Sequence, residues 1–163
     1  MTHSAFAAYV ALGSNIDSPH EQVLTAFREL DELAHTRVVA RSTLYRTAPV
    51  GYLDQPDFVN AVAKVATSLN PLDLLNALLE IERAHGRSRE FKNAPRTLDL
   101  DLLLYEDLVL EEPGLTLPHP RLHERAFVLV PLNDIAPTLK IPGRGSVAQL
   151  LAALPDAGLE KIL

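Results

Sequence analysis

Residues 38–69, VVARSTLYRTAPVGYLDQPDFVNAVAKVATSL, contain two β-rich segments with no helical segment between them. The pattern predicts strands over 38–46 and 58–69, joined by a loop that contains two prolines and a glycine. Two consecutive strands disfavour a doubly wound parallel sheet, because strands and helices alternate strictly in that fold. We therefore expect an antiparallel sheet in this part of the chain.

Amphipathic helices are predicted on both sides of this strand pair. Apolar residues recur at helical spacing over 19–35, after a capping box formed by Ser18 and Glu21. A second helix begins at the Asn70-Pro71 cap and stops at Gly86.

Strands over 7–12 and 97–105 complete the order β-α-β-β-α-β. This order predicts a ferredoxin-like α+β fold, a split β-α-β antiparallel sheet with helices packed on it. Downstream, the pattern predicts a hairpin through Glu106-Asp107 to 108–110, a helical stretch over 121–133 and a strand over 139–141. A final helix is opened by Ser146.

Composition limits the class of protein. The chain of 163 residues is 47% hydrophobic and 22% charged, which predicts a single globular domain over 1–163. It has no cysteine, which excludes a disulfide framework, a thiolate zinc site and a cysteine nucleophile. No apolar run approaches the ~18 residues of a membrane span, so we expect a cytoplasmic protein without a membrane partner. The net charge of −6 argues against nucleic-acid binding.

One short segment is basic in this acidic chain. Residues 86–96 carry four cations and one acid, Glu90, a local charge of +3. The cations are Arg87, Arg89, Lys92 and Arg96. Such a cluster indicates either an anion-binding loop or a solvated loop that pairs with acids elsewhere.

Directly after this segment, Asp99 and Asp101 alternate with leucines on a predicted strand. Residues i and i+2 share one face of a strand, so the two side chains point the same way, with Cα atoms ~7 Å apart. Their mutual repulsion favours a cation between them, and Mg²⁺ suits one or two carboxylates together with substrate phosphates. The alternative is the solvated side of an amphipathic strand.

The basic loop and the acidic pair together favour binding of a nucleoside triphosphate, with metal on one side and guanidinium groups on the other. The chain lacks the glycine-rich motifs of a P-loop and of a Rossmann site.

Two further motifs carry candidate ligand-binding residues. Phe58 and Asn60 share a strand face and could stack on and hydrogen-bond a flat heterocycle, or be ordinary core residues. In 117–127, LPHPRLHERAF, a zinc site at His119 is disfavoured because Pro120 interrupts the helical register. His119 and Arg125 could instead contact phosphate.

The motifs together resemble the 6-hydroxymethyl-7,8-dihydropterin pyrophosphokinase family over nearly the whole chain. The matching segments are GSN at 13–15, YRTAPVG at 45–51, DQPDFVNA at 54–61, GRSR at 86–89, APRTLDLDLLLY at 94–105 and LPHPRLHERAFVLVPL at 117–132. The resemblance implies a ferredoxin-like, monomeric cytoplasmic enzyme of folate biosynthesis. Such an enzyme transfers diphosphate from the co-substrate ATP to the pterin hydroxymethyl group and releases AMP.

The resemblance also implies roles for individual residues. Asp99 and Asp101 would hold two Mg²⁺ ions, and Arg87 and Arg96 would neutralise charge as the bond to AMP breaks. The implied ATP-binding residues are Glu82, Arg89, Leu102, Thr116, His119 and Arg125. The implied pterin-binding residues are Thr47 and Val50 through their backbones, Asn60, and Phe58 and Phe127 as stacking partners.

The chain departs from the family pattern in the basic loop. Lys92-Asn93-Ala94 stands where many members have Arg-Trp-Gly, and Phe91 is the candidate replacement for the tryptophan lid. Phe58 replaces the more familiar tyrosine, so we expect stacking without a hydroxyl hydrogen bond.

Three other functions are compatible with parts of the sequence. A ferredoxin-like ligand-sensing module would leave Arg96 beside the paired acids unexplained. A single-stranded RNA binder would need a basic surface with exposed aromatic residues. A metal-dependent phosphohydrolase would release phosphate without a pterin.

Overall fold

The computed structural model describes residues 5–48, 54–86 and 97–162. A main antiparallel sheet carries most of the strands. Its members are β1 (Phe6–Ser14), β2 (Thr36–Arg41), β3 (Tyr45–Thr47), β4 (Phe58–Thr67), β5 (Asp99–Tyr105) and β10 (Glu160–Lys161). Two small hairpins lie outside it. They are formed by β6 (Leu110–Glu112) with β7 (Leu115–Leu117), and by β8 (Lys140–Ile141) with β9 (Gly145–Ser146).

The main sheet has the split β-α-β topology that the sequence predicts. β1 is central and pairs antiparallel with β4 on one side and with β5 on the other. β2 and β3 both pair with β4, along different parts of its length, and β10 extends the sheet beyond β3. The predicted ferredoxin-like α+β fold is confirmed.

Helices cover both faces of this sheet. The helices are α1 (Pro19–Glu32), α2 (Pro71–Ala84), α3 (Ala126–Ile135) and α4 (Val147–Ala152). α1 and α2 pack on one face over a core of leucine, valine and alanine side chains from β1, β4 and β5. α3 and α4 pack on the other face. Because the second helical layer covers only part of its face, the cleft described below opens beside it.

The helix caps differ in how well sequence predicted them. Asn70 caps α2 as expected, its side-chain oxygen accepting from the backbone N–H of Asp73 at 2.8 Å. Ser146 forms a full capping box with Gln149 at α4. The box expected at Ser18 is wrong: its backbone is left-handed (φ 63°), whereas a capping side chain needs an extended residue.

The structure also differs from two of the predicted strands. The strand expected over 38–46 is interrupted between β2 and β3. There the N–H of Ser42 donates to the carbonyl of Val62 at 2.9 Å, but the N–H of Val62 donates to the Ser42 hydroxyl at 2.9 Å. The hairpin expected from β5 to 108–110 is wrong. Leu108 and Val109 lie outside any strand, and β6 instead pairs with β7 across a turn in which Gly114 has φ 82°.

Among the described residues, none of the helices has both the length and the apolar character that crossing a lipid bilayer requires.

Candidate active site

A cleft of about 670 Å³ opens on the α3 side of the main sheet. Its floor is formed by the ends of β1, β3, β4 and β5, and one wall by the residues that begin α3. Residues 154–159, between α4 and β10, form part of the opposite wall. The cleft therefore collects side chains from segments far apart in sequence.

Asp99 and Asp101 lie side by side on this floor, as the strand periodicity predicts. Both are half-buried and line the cleft. In the β1–β5 ladder, Asp99 is paired with Gly13 and Asp101 with Ala11. These small residues leave space in front of the carboxylates for a bound group. Leu98 and Leu100 are buried on the other side of the strand, in the core beneath α1 and α2.

Glu82 holds the backbone of β5 between the two aspartates. Its carboxylate accepts a hydrogen bond from the N–H of Leu100 at 2.7 Å, and the residue is 4% exposed. Glu82 is not among the residues that line the cleft. This geometry indicates that Glu82 positions the carboxylate pair.

Leu102 has its side chain in the core rather than in the cleft. It is 4% exposed and packs beneath α1 and α2, on the face opposite to Asp101. Strand alternation turns this side chain inward, away from the face that carries Asp101. The role in ATP binding that the resemblance implies for Leu102 stays a prediction. Thr116 lies exposed on β7, where it pairs with Glu111, and does not line the cleft.

His119 lies beside the outer edge of β5, where its N–H donates to the carbonyl of Leu103 at 2.8 Å. Burial lowers the pKa of His119 to about 4, aided by the charges of Arg125 and Arg121 and opposed by Asp99. The ring is therefore neutral at pH 7. Its Nδ1 accepts from the N–H of Arg121 at 3.2 Å, so the proton lies on Nε2, which is a donor.

Two guanidinium groups border the cleft near the carboxylates. Arg121 and Arg125 both line it, together with Glu124. The guanidinium of Arg125 lies 5.5 Å from the ring centre of Phe127, within the range of a cation–π interaction. Sequence reasoning found Arg125 and missed Arg121 and Glu124, although all three belong to the LPHPRLHERAF segment.

The other end of the cleft combines an amide with two aromatic rings. Asn60 is 8% exposed, and its Nδ2 donates to Oγ1 of Thr47 at 2.8 Å. Phe58 and Phe127 line the same space. The structure thus brings together four residues that sequence analysis assigned to one heterocycle site.

The loop leading into β4 is fixed by the GSN segment. Asn15 is buried, and its Nδ2 donates to Oε1 of Gln55 at 2.7 Å and to the carbonyl of Pro56 at 3.0 Å.

Gly13 allows the Asn60 side chain to lie close to β1. A Cβ there would lie 2.8 Å from Oδ1 of Asn60, closer than packing allows. Neither contact follows from a local sequence signal.

Several predicted site residues lie outside the described residues. They are Val50, Arg87, Arg89 and Arg96, together with the lid candidate Phe91.

The donor chemistry of the carboxylate pair fits Mg²⁺. In the part of the chain that the structure describes, no three His, Cys, Asp or Glu residues cluster as a complete metal site. Mg²⁺ does not need such a cage, since it binds through one or two carboxylates with water and substrate phosphates supplying the other ligands. Asp99 and Asp101 meet that requirement.

Fold and cleft define a ferredoxin-like α+β domain with a candidate site for a metal-bound polyphosphate and a flat heterocycle. The model of the 7,8-dihydro-6-hydroxymethylpterin-pyrophosphokinase (HPPK) family matches residues 9–137. The chain therefore belongs to the HPPK family. The matched residues do not include α4, β10 or the segment between them.

Individual relatives agree with this assignment. The chain is 49% identical to the 2-amino-4-hydroxy-6-hydroxymethyldihydropteridine pyrophosphokinase of Pseudomonas aeruginosa, over 94% of this chain and 95% of the relative. It is 43% identical to the Haemophilus influenzae protein of the same name, over 95% and 97% of the two chains.

A solved structure is similar in fold. The crystal structure of wild-type Plasmodium falciparum HPPK-DHPS with pteroate superposes with a TM-score of 0.71 at 16% identity. The match covers 93% of this chain and 43% of that longer chain.

Proposed function

We propose that this cleft performs the reaction of the family: transfer of diphosphate from MgATP to the hydroxymethyl group of 6-hydroxymethyl-7,8-dihydropterin, with release of AMP. The chain is then a diphosphate-transferring kinase of folate biosynthesis. One observation carries the proposal: the Asp99–Asp101 pair and the Asn60–Thr47 amide site open into the same cleft. A polyphosphate and a flat heterocycle can therefore meet there.

At the phosphate end, Asp99 and Asp101 would hold two Mg²⁺ ions together with ATP. The metal, when bound, neutralises charge on the phosphate oxygens. His119 offers a neutral Nε2–H donor, and Arg125 offers a charge-assisted one. Arg121, which also lines the cleft, joins this group.

The basic loop completes the phosphate end. Arg87 and Arg96 would stabilise charge as the bond to AMP breaks, and Arg89 would contact ATP. Thr116 remains a proposed nucleotide contact, and Leu102 could contact adenine only through its backbone. Glu82 acts on the nucleotide indirectly, by holding the strand that carries both aspartates.

At the pterin end, the ring would stack between Phe58 and Phe127. The Asn60 amide reads the ring edge, since it offers donors and an acceptor. Thr47 fixes the orientation of that amide, and the backbones of Thr47 and Val50 supply further hydrogen bonds.

Transfer then depends chiefly on alignment. The hydroxymethyl oxygen attacks the β-phosphorus, the bond from that phosphorus to AMP breaks, and the hydroxyl proton is released. Such transfers need positioning and charge stabilisation more than a strong base.

We also propose that the chain forms one domain over 1–163, is a monomer and is located in the cytoplasm. Light scattering coupled to gel filtration tests the monomer, which has a calculated mass of 17.9 kDa. A mass of twice that value at micromolar concentration would contradict it.

AMP release tests the proposed function. The purified chain is incubated with MgATP, with and without 6-hydroxymethyl-7,8-dihydropterin, and with EDTA as a control. We expect AMP and the pterin diphosphate only when pterin and metal are both present. ADP with free phosphate would indicate a phosphohydrolase, and ATP binding without turnover would indicate a sensing module.

The close approach of Gly13 to Asn60 gives a prediction for the pterin end. Gly13→Ala would force the Asn60 amide to move, because the new Cβ would lie 2.8 Å from its oxygen. We expect pterin affinity to fall about 10-fold, which corresponds to the loss of roughly one well-formed hydrogen bond. Fluorescence titration with the pterin measures this affinity.

Gly143→Ala controls for a loss of stability alone, since a Cβ there meets nothing within 4 Å but the left-handed backbone (φ 74°) makes an alanine strained. Pterin affinity should not change in Gly143→Ala. Unchanged pterin affinity in Gly13→Ala would show that the Asn60 amide does not read the ring.

A further inference from the structure

Residues 154–159, called here the wall segment, line the cleft beside the heterocycle site. Leu154, Pro155, Ala157 and Leu159 all face this space, on the side away from β5. The sequence patterns that identify the family do not extend into this segment, and the reaction described above uses none of its residues.

Both ends of the wall segment are anchored. Leu154 packs against the core beneath α3 and α4, a core that Phe127 also contacts. After the segment, β10 pairs antiparallel with β3, and the N–H of Ile162 donates to the carbonyl of Leu44 at 2.9 Å. Between these anchors, Gly158 turns the chain with φ 68°, its N–H bonded to Oδ1 of Asp156 at 2.9 Å.

The register of β10 sets the direction of Leu159. Lys161 is paired with Tyr45 and Glu160 with Arg46, so continuing the register puts Leu159 opposite Thr47. Tyr45 faces α3, since its hydroxyl donates to Oδ2 of Asp134 at 2.6 Å. Alternate residues share a face, so Thr47 and its neighbour Leu159 face α3 and the cleft as well.

Leu159 therefore lies next to the hydroxyl that orients the Asn60 amide. We propose that the wall segment forms an apolar wall of the pterin subsite and that Leu159 is a specificity-determining residue in it. The leucine side chain packs against the ring edge and keeps water from the Asn60–Thr47 hydrogen bond, which a drier environment strengthens. The identity of the ligand rests on the proposed function.

Leu159→Ala tests this proposal. Removing part of a buried apolar contact should weaken pterin binding about 10-fold, while Kd for an ATP analogue stays the same. KM for the pterin should rise in parallel, with kcat changing much less. Leu159→Met, which retains most of the side-chain volume, should restore most of the affinity. Fluorescence titration gives Kd for the pterin, and isothermal titration calorimetry gives Kd for the ATP analogue.

Glu160→Ala is the matched control. This substitution breaks the 3.5 Å ion pair between Glu160 of β10 and Arg46 of β3. Glu160 directly follows Leu159 but does not line the cleft, so both Kd values should stay unchanged. Equal loss of pterin affinity in Glu160→Ala and Leu159→Ala would overturn the proposal, because the segment would then act only by anchoring β3. Unchanged pterin affinity in Leu159→Ala would also overturn it.

Failure of the proposed function has a different signature. An unsubstituted chain that binds the ATP analogue but not the pterin would overturn the ligand assignment, and with it the role of this wall. Pterin binding that is normal in the unsubstituted chain and in Leu159→Ala alike would overturn the wall alone.

Discussion

Asp101→Asn is expected to lower kcat by at least about 10³-fold while the chain stays folded, equivalent to about 4 kcal/mol of transition-state stabilisation. The substitution keeps the side-chain volume and removes the charge. Asp101 lines the cleft and is paired with the small Ala11 of β1. Asp99→Asn should behave similarly, and Asp99→Ala or Asp101→Ala should abolish turnover. Coupled detection of AMP measures kcat at several Mg²⁺ concentrations.

Asp107→Asn serves as the matched control for the aspartate variants. It removes the same charge from an exposed turn just after β5, outside the cleft. Its kcat and its Mg²⁺ dependence should equal those of the unsubstituted chain. A kcat of Asp101→Asn within about threefold of normal at all Mg²⁺ concentrations would contradict the metal-binding role.

Glu82→Ala should produce the second large effect. It leaves the buried N–H of Leu100 without its acceptor, and such a loss typically costs about 1–3 kcal/mol of folding stability. Because Leu100 lies between the two aspartates, the strand shifts and the carboxylates lose alignment. We expect kcat to fall about 10- to 100-fold, since such losses follow small misplacements of reacting groups. Thermal unfolding and Mn²⁺ affinity measured by electron paramagnetic resonance separate the two effects.

Two variants control for the Glu82 effect. Glu82→Gln retains an oxygen acceptor and should recover most of the stability and the Mn²⁺ affinity. Glu80→Ala removes an exposed carboxylate of α2 that pairs with Arg83 on the surface, and should change neither. If Glu82→Ala lowers stability but leaves Mn²⁺ affinity normal, Glu82 does not position the aspartates.

Local sequence signals predicted the elements that depend on periodicity. The alternation of Asp and Leu in β5 gave both the strand and the shared face of Asp99 and Asp101. The two consecutive β-rich segments between the helical patterns predicted the antiparallel topology. These signals suffice because strand alternation and helix spacing are set by the backbone itself.

Local sequence signals could not predict the contacts between segments that are distant in the sequence. The bond from Leu100 to Glu82 joins a strand and a helix separated by the basic loop, and the Arg46–Glu160 pair joins residues 114 positions apart. The close approach of Gly13 to Asn60 depends on the β1–β4 register. Each requires the packed fold, so the resemblance named Glu82 as an ATP-binding residue without indicating its bond to Leu100.

Turn conformation caused the remaining errors. The composition of Ser18–Glu21 fits a capping box, yet the left-handed backbone at Asp17 and Ser18 prevents it. After β5, the next hairpin turn lies at Gly114, where a positive φ favours glycine, and not at Glu106-Asp107. The local residues did not indicate which of two adjacent turns would close a hairpin.

The central claim is that one cleft holds the metal–triphosphate and the pterin together. A crystal structure of the chain with Mn²⁺, an ATP analogue that has a methylene between the α- and β-phosphates, and the pterin tests it most directly. We expect anomalous Mn²⁺ peaks at Asp99 and Asp101, and a pterin stacked between Phe58 and Phe127 with its edge on Asn60. Mn²⁺ bound without these carboxylates, or a pterin bound outside the cleft, would contradict it.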